Sequence, residues 1–130
     1  MSYVTNVMLQ FDGCSSCEDG GAPEGLEADS ANREKIDEIT ARLASGQVFR
    51  LITRVGRASN WGGGKQAECD LLAAAFNYLP LEDFIKELES LTWSSPEMFR
   101  LFVQQQGSDA FGVWVIKEGK VVCVVEESGW

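Results

Sequence analysis

Two apolar runs close this 130-residue chain, and neither has a polar side. In the first, Phe111, Val113 and Val115 alternate with Gly112, Trp114 and Ile116; in the second, Val121, Cys123 and Val125 alternate with Val122 and Val124. Side chains of a strand point to opposite faces in turn. Glu118-Gly119, between the runs, is a two-residue turn of the kind that joins hairpin strands. The chain therefore ends in a hairpin that is apolar on both faces. An antiparallel sheet with helices on one side ordinarily shows polar residues on the other. Trp114, Ile116, Val122 and Val124 are the interface candidates for whatever covers the second face. Leaving them in water would forgo roughly 1.5–3 kcal/mol for each large side chain.

The remaining elements follow from spacing. Residues 3–11 read as a mostly apolar strand. Residues 30–45 read as a helix capped by Asp29 or Ser30, with Ile36, Ile39 and Leu43 in one stripe and Gly46 placed to end it. Residues 47–55 read as a second strand, with Arg50 and Arg54 on one of its faces. Residues 66–78 fit two patterns. Ala67, Leu71, Ala75 and Leu79 have helical spacing, yet the run 71–76 also suits a strand buried on both faces. The strand is favoured, because the next segment already supplies a helix. That helix starts at Pro80, and Leu81, Phe84, Ile85, Leu88 and Leu91 form its stripe. Residues 98–105 are a further strand. The order is β-α-β-β-α-β followed by the hairpin. It predicts an α+β fold with a ferredoxin-like split βαβ core and a C-terminal β-hairpin extension, both helices lying on one face. A single domain over residues 1–130 is large enough to bury roughly two-thirds of its unfolded surface without disulfide or metal.

Charge narrows the partners. Twenty acidic residues against eleven lysines and arginines give a formal net charge of -9. That disfavours nucleic acid and anionic membranes and favours a basic protein partner. Residues 12–29 concentrate the acids (Asp12, Glu18, Asp19, Glu24, Glu27, Asp29) among five structure-breaking glycines and prolines. They read as one long acidic loop. No histidine is present, which excludes imidazole-based catalysis and histidine-ligated zinc within this chain. Nothing marks a membrane span, and residues 1–6 lack the pattern of a secretory leader, so the expected location is the cytoplasm. Cys14-Ser15-Ser16-Cys17 is a C-x-x-C followed by acids, which raise a thiol pKa instead of lowering it. As a zinc half-site it lacks a second C-x-x-C. Cys69 and Cys123 lie in apolar segments and are expected to be buried. No metal and no cofactor are expected. Glu68 and Asp70, which share a face if residues 66–78 are a strand, form no credible catalytic pair without a histidine.

The most suggestive chemistry is the loop Trp61-Gly62-Gly63-Gly64-Lys65 with Arg50, Arg54 and Arg57 close in sequence. Successive backbone N–H groups and a lysine can cradle an anion. The P-loop spacing fails: Ser59 stands where the first glycine belongs, and Gln66 replaces the magnesium-binding hydroxyl. These eight residues are candidates for anion or partner binding. Gly62-Gly63-Gly64-Lys65, Ala75-Phe76-Asn77-Tyr78-Leu79 and Trp93 with Pro96-Glu97 together resemble a group of small uncharacterised bacterial proteins. The resemblance spans residues 61–97 and implies a shared fold, with no established activity. The first expectation for function is a small acidic binding protein, immunity- or inhibitor-like, that acts by protein–protein contact and forms a homodimer. The alternative is an anion- or nucleotide-binding regulatory or enzymatic domain that uses the glycine loop and its arginines.

Overall fold

The computed structural model describes residues 4–12, 29–55, 58–59, 61–64, 69–107 and 111–126. Strand β1 (Val4–Asp12) is the axis of the sheet. Its residues Val7, Leu9 and Phe11 are buried, while Asn6 and Met8 are exposed on the other side. A turn of 3-10 helix at Asp29–Ala31 leads into helix α1 (Asn32–Leu43). Strand β2 (Arg50–Leu51) is short. A separate hairpin of β3 (Arg54–Val55) and β4 (Ala58–Ser59) comes next, then β5 (Cys69–Asn77) and helix α2 (Leu81–Ser90). After a second 3-10 turn at Pro96–Met98, the chain closes with β6 (Arg100–Gln105), β7 (Phe111–Lys117) and β8 (Lys120–Glu126).

The result is a mixed α+β fold. Six strands in the order β2-β5-β1-β6-β7-β8 form one antiparallel sheet, and β3-β4 form a second, two-stranded one. The plain β-α-β-β-α-β run is not reproduced element for element. The strand expected over residues 47–55 breaks at Ile52 and Thr53, so Arg50 and Arg54 belong to different sheets. The Thr53 hydroxyl instead accepts from the Leu71 N–H, at 3.4 Å. Over residues 66–78 the described part is the strand, and it pairs with all nine residues of β1. The residues of the long acidic loop between Asp12 and Asp29 lie outside those described, as do Arg57 and Lys65.

Register lines the core up in rows. Leu51, Leu72, Leu9, Leu101 and Trp114 face one side across five strands. The helices lie on this side. Ile36 and Ile39 of α1, and Phe84 and Leu88 of α2, are buried in the same cluster. Phe49 packs edge-on against Phe76 at 4.9 Å and lies 6.0 Å from Phe84. Trp93 packs edge-on against Phe99 at 5.0 Å, and its indole N–H donates to the Leu88 carbonyl at 2.9 Å, which satisfies an acceptor at the end of α2. Helix α1 ends as expected: Ser45 and Gly46 take positive φ, and the Gly46 N–H bonds back to Ala41. Its start differs from expectation. The N-cap position is Ala31, which has no side-chain cap, and the Asp29 carboxylate turns to the loop after α2; the Ser30 side chain lies outside the described residues.

The terminal hairpin turns through Glu118 and Gly119, both at positive φ, as a type I′ turn requires. Gly112 is buried against its neighbour but one, and a Cβ there would run into the Trp114 indole. Gly112→Ala should therefore lower stability by about 1–3 kcal/mol through overpacking. Urea unfolding followed by tryptophan fluorescence measures this, and an unchanged midpoint would contradict it. Asp37 on α1 gives a pH signature. Partial burial raises its pKa above 3.8, more than the Arg33 charge lowers it. The folded state then favours the protonated acid. That contribution is fully present below the unfolded pKa of about 4 and is lost as pH rises through the folded value. Asp37→Asn should be more stable than wild type at pH 7, with the gap closing below about pH 4. A gap that widens in acid would contradict the assignment.

Candidate functional site

The helices cover one face of the sheet and leave the other open. On the open face register builds a row from Arg50 through Ala73, Met8, Phe102 and Val113 to Val125. A second row runs from Ala75 through Asn6 and Gln104 to Phe111. Met8, Phe111 and Val125 are each about two-fifths exposed (44%, 39% and 41%), and Phe102, Val113, Val115 and Val122 are half-buried. Alanines on strand β5, between β2 and β1, stand between large side chains on either side. They form the floor of a groove of about 680 Å³, walled by Arg50 and Ile52 on one side and Phe102 and Phe111 on the other. That volume lies in the range of roughly 300–1,000 Å³ typical of small-molecule sites.

Charge is divided between the two sides. The exposed positions of the helices carry Glu34, Glu38, Glu82, Asp83 and Glu89 against Lys35, Arg42 and Lys86, so the acidic excess lies on α2. The open face carries Arg50 beside the groove and Arg100, Lys117 and Lys120 towards its margins. Its described acid is Asp12, at the end of β1, which accepts a hydrogen bond from the Ser95 hydroxyl at 3.0 Å. A chain with a net charge of -9 thus presents an apolar surface with a cationic margin.

The structure divides the interface residues named from sequence. Trp114 and Ile116 sit on the helix side, half-buried and packed against the core, as does Val121. The period-two alternation put them on one face correctly, but the sequence alone did not say which face the helices take. Val122 lies on the open face opposite Val115. Val124 is 45% exposed, at a register shift that sets Cys123 opposite Trp114 and Val125 opposite Val113. Cys123 is exposed and Cys69 half-buried, against the expectation of two buried thiols; Cys123 sits on the last strand, where no neighbour covers it, and its thiol lies 3.2 Å from the Val125 carbonyl. Asp70, by contrast, is fully buried on the helix side, opposite Phe11.

Trp61 is 47% exposed, and Gly62, Gly63 and Gly64 have no described atom close to where a side chain would begin. Arg50 stands on the open face opposite Ala73. Sequence reasoning did not single out Met8, Ala73 and Phe102. The usable signal was the alternation of Asn6, Met8 and Gln10 with Val7, Leu9 and Phe11, which marks β1 as one-sided. Among the described residues, no group of three or more acids and cysteines could hold a metal ion, and no helix is long and apolar enough to cross a membrane.

One further cluster fixes the end of the sheet. The buried Asp29 carboxylate accepts from the N–H groups of Ser94 and Ser95, at 2.5 and 3.0 Å, while Asn32 donates to the Thr92 carbonyl at 2.9 Å. With Asp12 on Ser95, both flanks of the acidic stretch are tied to one short loop. Comparison with protein-family models, curated proteins and solved structures finds no match to this chain. The Asp29 tie is predicted to be structural. Asp29→Ala should cost about 2–3 kcal/mol, since it leaves N–H groups of the 92–95 loop unpaired. Asp29→Asn, which keeps an acceptor, should cost less. Equal losses for the two variants in urea unfolding would show that the hydrogen bonds are not responsible.

Proposed function

We propose that this acidic chain is a cytosolic, non-enzymatic binding protein that acts by protein–protein contact through the helix-free sheet face, and that a second copy of the chain occupies that face. The observation that carries the reading is the apolar row Ala73, Met8, Phe102, Val113 and Val125 on a face without helices. Six strands at about 4.8 Å spacing and roughly 20–25 Å of length give a patch on the order of 600 Å² in projection. A standard interface takes about 800 Å² of accessible surface from each partner, so most of the face is needed. Face-to-face pairing turns the helix side outward, with the acidic excess of α2 (Glu82, Asp83, Glu87 and Glu89 against Lys86), which keeps that repulsion away from the contact. It also leaves that side in solvent, where a basic partner would be met. Two-fold pairing is the commonest closed assembly.

The finer fold reading belongs to the same proposal. Strand order β2-β5-β1-β6 with helices after β1 and β5 supports a split βαβ core, elaborated by the β3-β4 hairpin and extended by β7 and β8. The likeness of residues 61–97 to the small bacterial proteins described above fits such a core but assigns no activity.

Sedimentation velocity tests the pairing. Wild type should be a dimer at micromolar concentration. Met8→Glu should shift it to monomer, raising the dissociation constant about a hundredfold or more, because two carboxylates would enter an apolar contact. Met8 is 44% exposed in the single chain, so the variant should keep its fold, as circular dichroism would show. A wild-type monomer at high micromolar concentration, or a dimer indifferent to Met8→Glu, would refute pairing through this face.

A further inference from the structure

We infer that the groove on the helix-free face binds a small amphiphilic carboxylate, its apolar body over Ala73, Ala75 and Met8 and its head against Arg50. The inference rests on reading this face as the binding surface, and it adds a ligand class. Three observations select it. The groove is apolar where it is deepest, since the alanines of β5 leave space that Met8, Phe102 and Phe111 border. An apolar body displaces water there favourably, in proportion to the surface it buries. The charged residue lining the groove is a cation, Arg50, which is exposed and has no carboxylate partner among the described residues. A guanidinium offers paired N–H donors that match a carboxylate in two parallel hydrogen bonds.

The other polar residues among the described lining are Asn6 and Gln104, which are neutral and opposite one another across β1 and β6. Among the described residues that line it none is an acid, so an anionic head meets no like charge from them. A cationic or strongly polar ligand would gain nothing from this lining, and a neutral hydrocarbon would leave Arg50 without a counter-charge. Pairing of two chains is compatible with occupancy. Sheets packed face to face lie about 10 Å apart, and an alanine floor opposite another alanine floor leaves that space partly unfilled.

Displacement of anilinonaphthalene sulfonate by decanoate and by decanol tests the inference. Wild type should bind the dye saturably, at one site per chain, and release it to both competitors. Arg50→Gln should weaken decanoate about tenfold and leave decanol unchanged, the signature of a lost charge-assisted contact. Ala75→Trp should remove both by filling the floor; its site is exposed and tryptophan suits a strand, so the fold should persist. The inference is overturned if wild type shows no saturable decanoate displacement up to millimolar concentration. It is equally overturned if Arg50→Gln affects decanoate and decanol alike, if Ala75→Trp still binds, or if the chain binds only vesicles of anionic phospholipid and not free decanoate. Sedimentation of the same samples separates the two readings. A monomer that binds decanoate with the Arg50 signature removes the dimer and keeps the ligand, and a dimer without decanoate binding does the reverse.

Discussion

Two helices cannot wrap both sides of a six-stranded sheet, and that geometric limit governs this molecule. Strand β1 sits near the middle of the sheet, paired along its whole length with β5 and over six residues with β6. Its alternation decides the two environments. Val7, Leu9 and Phe11 meet the helices; Asn6, Met8 and Gln10 meet whatever lies beyond the sheet. Because side-chain direction has period two, a slip of one residue would exchange these sets, so the register is strongly specified by burial. The helices supply the other half of the core through Ile36, Ile39, Phe84 and Leu88. Their exposed link, the Arg42–Glu87 ion pair at 2.6 Å, adds little at such a wet site.

The same limit separates charge from apolar surface. Helix α2 carries an acidic excess on the helix side, while the open face is apolar with Arg50, Arg100, Lys117 and Lys120 beside it. A protein built this way can associate through the sheet without bringing its acidic sides together. The Asp29 tie and the Trp93–Leu88 bond hold the loop between α2 and β6 at one end of the sheet.

Much of this was legible in the chain. The stripes of both helices, the stop at Gly46 and the turn at Glu118-Gly119 follow from spacing and turn chemistry, while the strand within residues 66–78 fitted two patterns by spacing and was favoured because the next segment supplies a helix. Three things were not legible. The break at Ile52 and Thr53 comes from a tertiary bond between Thr53 and β5, and nothing local marks it. Asp29 has the composition of a helix cap, but its carboxylate is spent on a loop 65 residues away. The faces of Trp114 and Ile116 depend on which side of the sheet the helices take. That choice is made by the connections through the whole fold, not by the hairpin's own pattern. The groove was hidden for a related reason. Ala73 and Ala75 look like helix formers in sequence, and only their neighbours across β1 and β2 turn them into a floor.

The central claim is that the helix-free face is covered in the working protein. Oxidation of Met8 by dilute peroxide tests it most directly, with the half-buried Met98 as an internal reference. Mass spectrometry of the peptide containing Met8 should show slow oxidation at high protein concentration and faster oxidation on dilution, with Met98 unchanged. Oxidation of Met8 at one fast rate across the whole concentration range would contradict the account, since the face would then stay open to water.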